Sequence, residues 1–158
     1  MSQESAPVVA APRATAERRH DALHRLEHDV DLWVASGNAA TGQPALVPLS
    51  FLWDGTALLI ATVASSPTAR NLTVGRPVRL ALGLTRDVIM IDATVAEATP
   101  DKEIPAEVGD GFAAKSGFDP RAEPDLFRYF RLVPRRIQAW RESNELAGRT
   151  VMSDGQWC

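Results

Sequence analysis

Residues 46–62 hold two apolar runs on either side of the dipeptide Asp54-Gly55. Asp-Gly tolerates the positive φ angles that a tight hairpin turn demands, so this stretch predicts two antiparallel strands. Pro48 lies inside the first run and has no N–H to give a ladder. That strand is therefore expected at an edge, or with a bulge at the proline.

The rest of the sequence extends the pattern. Residues 15–29 read as helical, with Leu23, Leu26 and, just beyond, Val30 at the spacing of one helical face. Residues 32–35 are short, apolar and stopped by Ser36-Gly37-Asn38. Beyond the hairpin, Ser66 suits a helix cap, Pro67 the first helical position and Gly75 the stop, which predicts a two-turn helix. Strands follow at 78–83 and 88–98, joined at Thr85-Arg86-Asp87, then a short helix over 102–116 and a loop over 117–124. A long strand is predicted from 127 to about 141, interrupted at Pro134, with a last one over 149–152. Hairpin-linked strands with helices between them are the pattern of a mainly β chain. They build an antiparallel barrel with short helical caps rather than a parallel βαβ sheet. Residues 1–14 are rich in small side chains and prolines and bury too little to offset their ordering entropy. They are read as a disordered arm before a single domain at 15–158.

Charge and composition narrow the function. A net charge of -3 leaves no basic field to hold phosphates at physiological salt, which argues against a nucleic-acid partner. The longest apolar run is far short of a membrane span, and residues 2–16 lack the continuous apolar stretch of a signal peptide. Cys158 is the one cysteine, so no disulfide forms within the chain and a cytoplasmic location is expected. No dinucleotide fingerprint, Walker loop or nucleophile elbow is present.

Three groups of residues carry candidate chemistry. Ser65, Ser66, Thr68 and Arg70 gather hydroxyls and a cation at the start of the predicted helix, which suits an anion. A capped surface helix with purely local serines accounts for them equally. Trp140 is bracketed by Arg135, Arg136 and Arg141, an arrangement that can wall a planar anionic ligand. A core or interface tryptophan beside solvated arginines is the other reading. His20, His24 and His28 share a helix face by their spacing, yet no carboxylate or cysteine set completes them, and no metal site is assigned.

Two of these stretches resemble a known superfamily. Ala61-Thr62 followed by Ser66-Pro67-Thr68-Ala69-Arg70-Asn71-Leu72 resembles the phosphate-binding stretch of the pyridoxamine 5'-phosphate oxidase-like flavoproteins. Pro134-Arg135-Arg136-Ile137-Gln138-Ala139-Trp140, with Arg149 downstream, is similar to their C-terminal motif. The resemblance spans residues 18–157 and implies an FMN-binding split β-barrel that works as a homodimer. It further implies that Val47, Pro48, Leu49 and Ser50 pass along the flavin ring and its ribityl chain. Thr62, Ser65, Ser66, Thr68, Arg70 and Asn71 would surround the phosphate, with Trp140 and Arg149 supplied across the dimer.

Two departures refine that expectation. Thr68 stands where the superfamily has a lysine, and Glu145-Leu146-Ala147 replaces the Arg-Leu-His pattern that grips pyridoxal phosphate in the true oxidases. Oxidation of vitamin B6 is therefore not expected. The Thr-Ala-Arg-Asn-Leu wording resembles the flavin/deazaflavin oxidoreductase branch, which implies FMN or a deazaflavin (coenzyme F-420) and hydride transfer to a small-molecule substrate. No side chain is an evident acid or base, so the catalytic residues are left unassigned. The alternative is a flavin or haem carrier of the same fold that does not turn over.

Overall fold

The computed structural model describes residues 8–158. A first helix, α1 (Thr15–His28), leads into the strands β1 (Asp31–Gly37), β2 (Pro44–Trp53) and β3 (Leu58–Val63). The short helix α2 (Pro67–Asn71) precedes β4 (Pro77–Leu84) and β5 (Asp87–Pro100). Then come α3 (Ala106–Ser116), β6 (Phe127–Trp140), β7 (Thr150–Ser153) and β8 (Gln156–Trp157). Six strands close into an antiparallel barrel in the order β3-β2-β1-β4-β5-β6, with β6 returning to β3, and the β7–β8 hairpin extends from β6.

β6 holds the barrel together because one of its edges serves two partners. Its first half pairs with β3, from Val63↔Phe127 to Leu58↔Leu132, and its second half pairs with β7 at Ile137↔Met152 and Gln138↔Thr150. Its other edge runs along β5, with the register slipping between Ala93↔Pro134 and Asp92↔Arg136. Pro134 therefore sits at a bulge, where the ladder is already broken and a missing N–H costs least. The interruption expected there is a bend within one continuous strand.

β3 reads Leu-Leu-Ile-Ala-Thr-Val without alternation because it is covered on both faces. Leu58 and Ile60 face the barrel interior with Phe51, Phe130 and Leu132. Leu59 and Ala61 face outward, into a second cluster with Phe112 of α3 and Tyr129 of β6. Phe112 meets Tyr129 edge to face, with centroids 5.5 Å apart. The Tyr129 hydroxyl is fully buried and has no hydrogen-bond partner among the described residues, and burial pushes the phenol up to about 12. A hydroxyl left unpaired in this way costs stability. Tyr129→Phe is therefore expected to leave the unfolding free energy unchanged or raise it by about 1 kcal/mol in urea melts. A loss of stability would show that the hydroxyl has a partner.

Several local expectations are corrected. α1 buries Arg18, Ala22 and Leu26, whereas Val30 is exposed beyond its end. α2 stops at Asn71, capped by Leu72. Gly75, at φ +88, instead shapes the turn into β4, where its N–H reaches Val95 O. The helix expected over 102–116 begins later, because a 3₁₀ turn at Asp101–Glu103 and Pro105 precede α3. Residues 1–7 of the expected arm lie outside the described part. Arg13 is held firmly: its backbone N–H and guanidinium donate to Glu145, and Nη1 donates to Asp21 at 2.6 Å.

Candidate functional site: a forked strand pair

β2 and β3 pair only at Phe51↔Ile60, Leu52↔Leu59 and Trp53↔Leu58. Before Phe51, β2 stays with β1, from Asp31↔Ser50 to Gly37↔Pro44, and its other edge is unpaired among the described residues. Pro48 lies on that free edge, as a residue without an N–H requires. On either side of the fork, Ala61 of β3 packs outward with Phe112 and Tyr129, while Val47 and Leu49 of β2 pack onto the barrel core.

The fork opens into a cleft of about 440 Å³ lined by Pro48, Leu49 and Ser50 on one side and Ala61, Thr62 and Val63 on the other. Phe112, Phe118 and Phe127 wall it, and Phe118 meets Phe127 edge to face at 5.2 Å. Asp31 also lines it and accepts a 2.7 Å hydrogen bond from Ser50 Oγ. Phe127 is held in place by buried Asp101, whose carboxylate accepts the N–H groups of Asp125 and Phe127, both at 3.1 Å.

A second recess, of about 280 Å³, lies at the outer end of the same strand. It is lined by Pro44 and Ala45 of β2, by Pro67, Arg70 and Asn71 of α2, and by Asn38, Thr41 and Gln43. Thr62 Oγ1 and Ser66 Oγ approach to 3.4 Å, and Ser66 Oγ caps α2 by accepting Ala69 N–H at 3.0 Å. Arg70 is exposed and directs Nη1 to Ser65 O, while Asn71 donates to Ser36 Oγ at 3.2 Å. From Pro44 to Ser50 the free edge runs about 20 Å at the usual strand rise.

The structure thus brings together Pro48, Leu49, Ser50 and Thr62 at the inner recess and Arg70 and Asn71 at the outer one; Ser66 stands beside Thr62 and Ser65 beside Arg70, and neither serine lines a recess. Val47 turns its side chain onto the core. Thr68 is only 2% exposed and offers nothing to a ligand in this arrangement. Trp140 and Arg149 stand apart from both recesses. Thr62 pairs with Arg128, and Trp140 lies at the far end of the same strand, up to about 40 Å away. The two are together with each other, the Arg149 guanidinium lying 5.4 Å from the Trp140 ring centre. The aromatic wall escaped the sequence reading, because Phe112, Phe118 and Phe127 lie some fifty residues or more from Thr62 and carry no local signature.

A six-stranded antiparallel barrel with one forked strand pair defines the class: the fold is that of the pyridoxamine 5'-phosphate oxidase-like split barrels. An F420 reductase shares it at TM-score 0.59 and 16% identity, covering 72% of this chain and 93% of that one. A protein related to general stress protein 26, of the pyridoxinephosphate oxidase family, from Clostridium acetobutylicum superposes with TM-score 0.60 at 11% identity over 80% of this chain and 89% of its own. A haem storage protein from Vibrio cholerae does so with TM-score 0.58 at 17% identity over 88% and 99%. No family model matches the sequence, and no curated protein matches it. Among the described residues no helix is long and apolar enough to cross a membrane.

Proposed function

We propose that the chain binds FMN or a deazaflavin along the free edge of β2 and acts with it as an oxidoreductase on a small-molecule substrate. The observation that carries this reading is the two-ended groove: an aromatic-walled cleft at Ser50 and an exposed guanidinium, Arg70, at Pro44. A planar ring joined by a polyol chain to a phosphate has the same polarity from end to end. The donor set fits it, since Ser65, Ser66 and Arg70 at the start of α2 supply hydroxyls and a charge suited to phosphate oxygens, while Thr62 adds a hydroxyl at the inner cleft. When bound, such a group supplies the hydride chemistry. The protein's part is to seat the ring between the β2 edge and the phenylalanines, to exclude water there and to neutralise the phosphate.

The separation of Trp140 and Arg149 from the groove supports a homodimer in which the partner brings this pair to the ring. A monomeric mass in sedimentation at micromolar concentration overturns that part of the reading. The cofactor site is tested by titrating FMN and a deazaflavin into wild type and Arg70→Ala. Loss of a charge-assisted phosphate contact is expected to weaken binding about ten- to a hundredfold, or about 1.5–3 kcal/mol, without loss of fold. Unchanged affinity for both ligands would falsify the assignment.

A carrier that binds flavin or haem without turnover is the second reading. It is favoured by a cleft in which, among the described residues, Asp31 is the only ionisable side chain. Reduction of an unsaturated substrate by protein loaded with reduced cofactor separates the two.

A further inference from the structure

We propose that Glu145 and Arg18 are positioning residues for the Trp140–Arg149 pair, so that the N-terminal segment governs how that pair meets a ligand ring. This rests on the functional reading above, in which the pair touches the ring. Between Trp140 and Arg149 the chain makes a loop containing a 3₁₀ turn at Ser143–Glu145. Left to itself, so short a turn has few partners to fix it. Here it is held from within by the chain's own beginning.

Glu145, only 3% exposed, points its carboxylate back into the molecule and accepts from Arg141 N–H at 2.9 Å. The same carboxylate receives three donors from Arg13: the backbone N–H at 2.9 Å, Nε at 3.0 Å and Nη2 at 2.7 Å. Arg18, 5% exposed on α1, donates Nη1 to Glu145 O at 2.8 Å and to Ala147 O at 3.2 Å, and its Nε holds Arg13 O at 2.9 Å. Asn144 adds a contact to Ala10 O at 2.9 Å.

The middle of the loop is thereby fixed against α1 and the segment before it. At its exit Ala139 N–H bonds Arg149 O at 2.8 Å, which sets Arg149 over the Trp140 ring. Among the described residues Arg18 makes no carboxylate pair: its Nε and Nη1 go to the carbonyls of Arg13, Glu145 and Ala147. Its contribution here is to fix shape.

The test compares Glu145→Gln, which keeps the side-chain shape, and Arg18→Met, which keeps the bulk, with wild type and Arg70→Ala. Each folded protein is titrated with FMN and with riboflavin, which lacks the phosphate, and its amide hydrogen exchange is followed. Faster exchange over 141–149 and a fall of about tenfold in affinity for both ligands by the same factor are expected for the two clasp variants. Arg70→Ala is expected to lose affinity for FMN alone. Clasp variants that melt earlier or exchange faster, yet bind riboflavin as wild type does, overturn the positioning role and leave a purely structural clasp. Wild type that binds neither compound overturns the functional reading itself, before any variant is compared.

Discussion

Arg13→Ala is expected to lower the unfolding free energy by about 3–5 kcal/mol at neutral pH, because it leaves the Glu145 carboxylate buried without its cation. The pair is well removed from water, with side-chain exposures of 10% and 4%, so solvent cannot take the place of the guanidinium. Hydrogen bonds from Arg13 hold the Glu145 carboxyl down at about 2 against the burial that pushes it up. A carboxyl lowered in the folded chain adds stability that is complete above its ordinary value of 4.5 and is lost as pH falls toward about 2. Wild type should therefore weaken on acidification through that window, while Glu145→Gln, which has no proton to gain there, lacks this contribution at every pH. Urea melts at pH 7 and pH 3 read both effects. A change below about 1 kcal/mol for Arg13→Ala would place the pair among open surface ion pairs.

Phe130→Ala is expected to cost about 3–5 kcal/mol, the usual price of an aromatic-sized cavity in a core that cannot collapse onto it. Phe130 is 1% exposed inside the barrel and sits on β6 between Ile60 and Ala98, where strands on both sides hold the walls apart. Phe118 is the useful contrast. It is 42% exposed and lines the fork, so Phe118→Ala is expected to change stability by less than about 1 kcal/mol while weakening any ring bound there. Equal losses of stability from the two substitutions would show that Phe118 is part of the core.

What the sequence made legible was local. The Asp54-Gly55 hairpin, the edge position of Pro48 and the Ser66 cap each follow from a side chain acting within a few residues of itself. Even there one detail needed the structure. Asp54 keeps an ordinary φ and uses its carboxylate to bond Thr56 and Ala57, so that only Gly55, at φ +95, takes the strained angle. The same dipeptide at Asp154-Gly155 puts both residues at positive φ, 49° and 75°, and makes the β7–β8 hairpin that the sequence reading passed over. The residues proposed for the phosphate were legible for the same reason as the cap, since Ser65, Ser66 and Arg70 lie close together in the chain. The aromatic side was not, because it is assembled by α3 and β6 against β3. The docking of Arg13 was missed because its partner, Glu145, is 132 positions away.

Closing the barrel through β6 also sets the order in which the protein can form. The pairing that seals it joins Val63 to Phe127 and Leu58 to Leu132, residues 64 and 74 positions apart, whereas the β2–β3 and β4–β5 pairings are hairpins made at once. Loop-closure entropy makes so distant a pairing late and slow. During synthesis β3 must therefore wait, one edge unpaired and both apolar faces bare, until more than sixty further residues have been made. A chain whose finished barrel pairs β3 with β6 along its whole length passes through a stage in which that strand is its most aggregation-prone segment and the natural place for a chaperone to hold it.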